Sequence, residues 1–211
     1  RADVGPKLDS IENIIVKLKH VTSFPVIIAD TADIPGGGAA GDGTHLLSAL
    51  LKSGIKDIAY LYLWDPIAVS ATIHLTPGTE VILRIGGKSG PLAGIPLDVN
   101  ATIINTFSKH FIKGSNGVFD MTSDVVIIEV SGIKIALSSE RLIAYNSHHL
   151  TELGLDTTKQ KAIIVKSAGN HVSGYLDVAA DFLYANGPGT TSQDVSTFSY
   201  QKLTRKPWPL N

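Results

Sequence analysis

The stretch PVIIADTADIPGGGAAGDGTHLLSALLKSG, Pro25 to Gly54, decides the fold. Val26 to Ala29 is a short, continuous apolar run bounded by turn signals, which reads as a strand buried on both faces. Two aspartates follow, Asp30 and Asp33, and then three glycines, Gly36, Gly37 and Gly38. Asp42 or Thr44 stands at the capping position of a helix whose Leu46, Leu47, Leu50 and Leu51 form one apolar face. Gly54 falls where a helix C-terminal glycine belongs.

Outward from this unit the pattern repeats. Upstream, Asp9 or Ser10 caps a helix carrying Ile11, Ile14, Ile15 and Leu18 at helical spacing, with Phe24-Pro25 expected to end it. Downstream, Ile58 to Trp64 reads as a strand, Asp65-Pro66 starts a helix, and EVILRI from Glu80 is another strand. Strand, helix, strand, helix, strand predicts a parallel sheet with right-handed crossovers. The middle changes character. LDVNATIINTF from Leu97 alternates, and DVVIIEV from Asp124, Ser131-Gly132 and IKIALSS from Ile133 predict a hairpin.

LTELGL from Leu150 is a short helix, and KAIIVKS from Lys161 is a buried strand ending in a lysine. Val172 to Ala185 fits helix or strand, PGTTSQD from Pro188 is a loop, and KPWPLN from Lys206 is an extended tail. The expected fold class is α/β. A mixed, largely parallel sheet is flanked by helices and carries an antiparallel hairpin insertion. The chain is expected to be one domain over residues 1–211, with a leading helix in 1–24 and the core in 25–211.

Apolar residues make up 44 % of the 211 and charged residues 18 %. That is enough to bury a core and too apolar for a disordered chain. The formal net charge of −1 offers no footprint for nucleic acid or an anionic membrane surface. With no cysteine, these residues hold no disulfide and no thiolate metal site. No apolar run approaches the roughly 18 to 20 residues that span a bilayer, and nothing reads as a signal peptide. A cytoplasmic location is the expectation. The chain starts at Arg1 without an initiator methionine, so a processed chain or a piece of a longer protein is expected.

Ligands of open parallel sheets bind at the carboxyl ends of the strands. Those ends are polar here: Asp30 and Asp33 after the first core strand, Asp65 after the second, Ser138 to Arg141 after the hairpin, and Lys166 and Ser167, then Asn170 and His171, after the late strand. If these strands are parallel neighbours, all of these groups meet on one rim. The glycine triplet and the helix start behind it either hold a carboxylate or phosphate through free backbone N–H groups, or form a tight turn capped by Asp42. The triplet lacks the lysine of a phosphate-binding P-loop and the glycine spacing of a dinucleotide fingerprint.

Asp30 and Asp33 read as a carboxylate pair, as metal ligands, or as turn-capping residues. His148 and His149 have no metal-site spacing and read as surface histidines. His45, in the first turn of its helix, faces the loop or solvent. Lys166 offers its charge to an anionic ligand. No base stands within demonstrable reach of a serine, so covalent catalysis is not expected.

The run ADTADIPGGGAAGDGTHLLSALL resembles the ADxADNPGGGxxGDGTxLLxALL signature of the MlrC (microcystinase C) family. WDPIAV at Trp64, LRIGGKSGPLAGIPL at Leu83 and LSSERLIAYN at Leu137 continue the resemblance. So do LGLD at Leu153, IIVKSAGNH at Ile163, GPGTTSQD at Gly187 and RKPWPLN at Arg205. It runs from about Pro25 to the end and points to that family's carboxyl-terminal domain.

The resemblance implies a longer protein similar to zinc metallopeptidases, whose named member hydrolyses a linearised cyanobacterial peptide toxin. The metal-binding aspartate and histidines lie in an amino-terminal domain, so no zinc ligand is expected in this chain, although zinc is expected in the full-length family. The sequence departs from the family at Ile34, where an asparagine is usual, and at Asn211, where many relatives have aspartate. Aligned without a gap, Asn170 takes the place of a family histidine and His171 that of a phenylalanine; a one-residue slip restores the histidine.

The expected function is therefore the carboxyl-terminal domain of an MlrC-like zinc metallopeptidase or amidohydrolase, shaping the substrate cleft and binding anionic groups of a small peptide or amide. The residues expected to touch substrate, or to support those that do, are Asp30, Asp33, Gly36, Gly37, Gly38, Asp42, Thr44, His45, Asp65, Arg141, Lys166, Ser167 and His171. The expected partner is an amino-terminal metal domain or an equivalent chain, with self-association possible. The competing reading is a stand-alone binding or assembly domain, or a homologue that has lost activity.

Overall fold

The computed structural model describes residues 6–113, 120–205, 207 and 210. Its strands are β1 (Leu8–Ser10), β2 (Val26–Asp30), β3 (Ile58–Trp64), β4 (Glu80–Ile85), β5 (Leu97–Ile112), β6 (Met121–Val130), β7 (Ile133–Ser138), β8 (Ala162–Lys166) and β9 (Asp181–Asn186). Its helices are α1 (Ile11–His20), α2 (His45–Ser53), α3 (Pro66–Thr72), α4 (His148–Glu152) and α5 (Val172–Tyr175). All described strands join one sheet in the order β1-β9-β2-β8-β3-β7-β6-β5-β4. The six strands from β1 to β7 in that order run parallel, and β6, β5 and β4 follow as an antiparallel extension. The chain is thus a mixed, largely parallel α/β domain.

Alternation along the buried strands sets up two cores. Val26, Ile28, Ile58 and Tyr60 pack on one face with Ile14 and Leu18 of α1 and Leu46, Leu47 and Leu50 of α2. Ile27, Ala29, Ala59 and Leu61 face the other side, against Leu142, Leu150 and Tyr175. Because side chains of successive strand residues point to opposite faces, a strand covered on both sides must be apolar at every position. That is the reason VIIA, IAYLYL and AIIV read as unbroken apolar runs.

The hairpin between β6 and β7 turns at Ser131 and Gly132, both at positive φ, 51° and 84°. This is the twist that a two-residue hairpin needs.

The structure corrects two readings and decides two that the sequence left open. EVILRI is not a parallel crossover strand: β4 pairs antiparallel with β5 at the sheet's edge. β4 and β5 are joined by the short stretch 86–96, and a parallel return needs a crossover of roughly a dozen residues or more, usually a helix. Helix α1 ends at His20, before Phe24-Pro25. Asp42 does not cap α2; Thr44 occupies the cap position, with no side-chain bond to the helix. The ambiguous run from Val172 splits into α5 and β9. In the predicted tail, Lys206, Trp208, Pro209 and Asn211 lie outside the described residues, as does Arg1.

Candidate functional site

The parallel strands bring their carboxyl ends to one rim. Asp30 of β2 stands in register with Lys166 of β8, and Trp64 of β3 with Ser138 of β7. A cavity of about 870 Å³ opens there. Its walls are the turn after β2 (Ile34 to Gly37), Arg141 to Ile143 after β7, Ser167 and Asn170 after β8, and Thr190 to Gln193 after β9. Ile112, Met121 and Phe198 add apolar surface.

Beneath the rim lies a buried ion cluster. The Lys166 ammonium is 1 % exposed and donates to Asp33 Oδ2 at 2.7 Å, Asp30 Oδ2 at 3.3 Å and the Tyr60 hydroxyl at 3.3 Å. An ammonium has three donors, and these contacts use all three. Asp33 accepts two further bonds, from Gly41 N at 2.9 Å and Gly43 N at 2.6 Å. Asp30 Oδ1 accepts from Ala32 N at 3.2 Å. Burial alone pulls the Lys166 pKa down, but the facing Tyr60, Asp30 and Asp33 outweigh it and hold it well above the ordinary lysine value. Burial raises the Tyr60 pKa.

This cluster does not fit a metal. The site a divalent cation would take between the two carboxylates is held by Lys166. Among the described residues, no group of three or more His, Cys, Asp or Glu is arranged to hold a metal ion. Of the two roles expected for Lys166, direct anion contact and internal support, the geometry leaves it donors only for the second.

A second polar cluster ties down the loop after β4. Asp42, 1 % exposed, accepts from Lys88 N at 2.7 Å, Ser89 N at 2.8 Å and the Ser89 hydroxyl. Asp65 caps α3 through Ala68 N at 3.0 Å and also accepts from Gly86 N at 2.9 Å and from the Lys88 ammonium. Thr44 Oγ1 donates to Ala93 O and Ile95 O, and His45 Nε2 sits 3.2 Å from Leu92 O. The start of α2 is therefore covered by the Leu92–Ile95 stretch. Gly36 and Gly37 face the cavity instead, so the triplet and the helix start do not form one anion cradle.

Within the triplet, Gly37 N and Gly38 N donate to Ile34 O and Pro35 O. Gly38 alone needs the left-handed region, at φ 95°. Gly36 and Gly37 keep the wall thin: a Cβ there would meet Ile143 Cδ1 or Thr191 Cγ2 at 2.9 Å.

Arg141 is the exposed cation of the cavity wall. Its guanidinium lies 4.6 Å from the centre of the Trp64 ring, whose Nε1 donates to Ser139 O. Among the described residues it has no carboxylate partner. Ser167 also reaches the cavity, but His171 turns inward. It is 1 % exposed, makes no hydrogen bond, and packs against the Phe182 and Tyr184 rings at 5.8 and 5.7 Å. Burial lowers its pKa to about 4.

Asn170 lines the cavity, while His171 is buried against the Phe182 and Tyr184 rings. His148 is exposed as expected. His149 is not: it is buried, bonded through Nδ1 to the Tyr62 hydroxyl at 3.2 Å, with its pKa lowered to about 4 by burial and by His110 and His148.

Several participants were not legible as such. Tyr60 reads only as a strand residue, Trp64 as a strand residue and the start of the WDPIAV motif, and Lys88 and Ser89 only as part of a longer motif. Thr191, whose hydroxyl accepts from Ile34 N at 2.9 Å, reads as loop and as part of the GPGTTSQD motif. That motif was the available signal for Thr191.

A family model described as the MlrC C-terminus matches residues 28–202. Microcystinase C of a Sphingomonas species is 31 % identical over 192 residues, which cover 91 % of this chain and 37 % of that protein. The crystal structure of a protein from Mesorhizobium sp. BNC1 described as a "putative metallopeptidase" superposes with a TM-score of 0.78 at 17 % identity. That match covers 98 % of this chain and 42 % of the other. The chain thus spans well under half the length of both relatives.

Proposed function

The chain belongs to the MlrC C-terminus family, and on that premise we propose that it is the carboxyl-terminal domain of a metal-dependent peptidase or amidohydrolase. In this reading its cavity forms one wall of the substrate cleft and binds an anionic group of a small peptide or amide. The observation that carries this is Arg141, an exposed guanidinium held over Trp64 at the rim of an otherwise largely apolar cavity, with no carboxylate partner among the described residues. A planar guanidinium presents paired donors to a carboxylate, and stacking on a ring restricts its motion before a ligand arrives.

Each remaining element has a supporting part. Ser167, Asn170 and Thr191 add neutral polar groups to the cavity wall, and Ile34, Leu142, Ile143 and Phe198 offer apolar contact. The Lys166–Asp30–Asp33 cluster fixes the strand ends from which these loops depart. Metal chemistry belongs, in this reading, to residues outside this chain, and nothing in this domain is asked to perform it.

The test is titration calorimetry on the full-length protein with a short linear peptide carrying a free carboxylate, and with its amide. Arg141→Ala should weaken the carboxylate form about tenfold and leave the amide unchanged. Equal loss for both, or no loss, would remove Arg141 from ligand recognition.

A further inference from the structure

Strand β4 closes one end of the sheet, and no strand among the described residues pairs with its outer edge. The register against β5 runs unbroken from Glu80↔Thr102 to Ile85↔Leu97. Such an edge is a template for pairing unless it is short, bulged, covered, or guarded by proline or charge. Here it is six residues long with an unbroken register and neither proline nor lysine, and its two charges, Glu80 and Arg84, are of opposite sign, so they repel only a strand that does not match them. The opposite edge, β1, is only three residues long and runs directly into α1.

The side chains divide by face. Leu83 and Ile85 are buried in the core that also holds Ala68 and Val69 of α3. Glu80, Ile82 and Arg84 point the other way, and Ile82 is 79 % exposed. Their order, acid, apolar, base, is self-complementary when reversed.

We propose that β4 is the interface of a symmetric homodimer, in which two copies pair antiparallel about Ile82. In that register Ile82 faces its own counterpart, and Glu80 of each copy faces Arg84 of the other. Opposite charges directly across an antiparallel pair are favourable and like charges are not. Centring the pairing on Val81 would set Ile82 against Glu80, and centring it on Leu83 would set Ile82 against Arg84, so the charge pattern selects one register. Arg84 already holds Asp98 through Nε and Nη2, each at 2.7 Å. Its other terminal nitrogen remains for the second copy's glutamate. The interface is isologous, as two-fold symmetry requires.

The experiment is sedimentation equilibrium of the full-length protein up to about 100 µM, a range suited to a single-strand interface of modest area. The wild type should dimerise. Glu80→Arg and Arg84→Glu should each weaken the dimer about tenfold or more through like-charge contacts. An equimolar mixture of the two variants should recover the wild-type affinity. One strand then carries a base at both positions and the other an acid at both, so each of the two facing pairs joins opposite charges.

Cysteine placement supplies a readout of register. In Ile82→Cys the paired Cα atoms would lie about 4.5–5.5 Å apart, within disulfide reach. In Glu80→Cys they would lie roughly 13 Å apart along the strands. Oxidation should therefore cross-link the first variant and not the second. A monomeric wild type, single variants that dimerise normally, a mixture that fails to recover, or equal cross-linking at both positions would each overturn the proposal.

Discussion

Lys166 and Asp33 meet at 2.7 Å across 133 positions of sequence, and the ammonium is buried between Asp33 and Asp30. The contact joins the end of β8 to the turn after β2, and both segments border the cavity. It gives the wall a fixed foundation on the side where the cavity has its polar groups.

Lys166→Met should destabilise the protein by about 3–5 kcal/mol, because it leaves two carboxylates buried without their cation. Urea unfolding at pH 7 checks this. The sign with pH follows from the raised folded pKa. The ion pairs' contribution is complete below the ordinary lysine range and is lost only as the pH rises through the higher folded value.

His171 gives the fold a sensitivity to acid. An unfolded histidine titrates near ~6.5, and His171 in the fold titrates at about 4. Between those values the unfolded chain binds more protons. Stability is therefore full above about pH 6.5 and falls as the pH drops toward 4. His171→Phe loses no side-chain hydrogen bond, but its larger ring must fit a packed site, so at pH 7 it should cost no more than about 1–3 kcal/mol. The gap in urea midpoint between pH 7 and pH 4.5 should shrink. An unchanged gap would assign the acid sensitivity elsewhere, with His149 next in line.

Asp42→Ala removes the acceptor of three bonds from Lys88 and Ser89. Lys88 and Ser89 are exposed enough for water to take over their bonds, so the cost should be about 1 kcal/mol, and the loss should be local first. Hydrogen exchange at the Lys88 and Ser89 amides should accelerate far more than exchange in β2 or β8. Uniform acceleration would mean that the loop is held by something else.

Gly37→Ala separates fold from site. Its Cβ would meet the Thr191 methyl at 2.9 Å, a side chain whose hydroxyl also accepts from Ile34 N, so the neighbour must give a little. Stability should fall by about 1–3 kcal/mol, while the added methyl narrows the cavity wall and weakens peptide binding. By contrast, a Cβ at Gly189 would lie 2.1 Å from Ala32 O, a backbone atom that cannot yield. Gly189→Ala should therefore destabilise the fold itself, as thermal melts of the two variants would show.

Much of this architecture was legible residue by residue. VIIA announced a doubly covered strand, AIIV a buried one and IAYLYL a strand, while Asp65-Pro66 announced α3 and Ser131-Gly132 announced the hairpin. Each is a local signal: solvent exclusion on two faces demands apolar side chains at every position, and a turn demands particular backbone angles. The polar strand ends were legible for the same reason, since an apolar run must stop where the chain leaves the core.

What each polar group does was decided only by tertiary structure. Asp42 had the right position to cap α2, yet its carboxylate reaches the Lys88 loop, 46 positions away. Lys166 had the charge to bind a ligand, yet its three donors meet Asp30, Asp33 and Tyr60. EVILRI had the composition of a crossover strand, yet it lies antiparallel at the edge, paired with β5. A short apolar run encodes that it will be buried, through its own hydration. Strand order, and therefore which carboxylate meets which cation, depends on contacts between segments far apart in sequence, and those exist only once the sheet has closed.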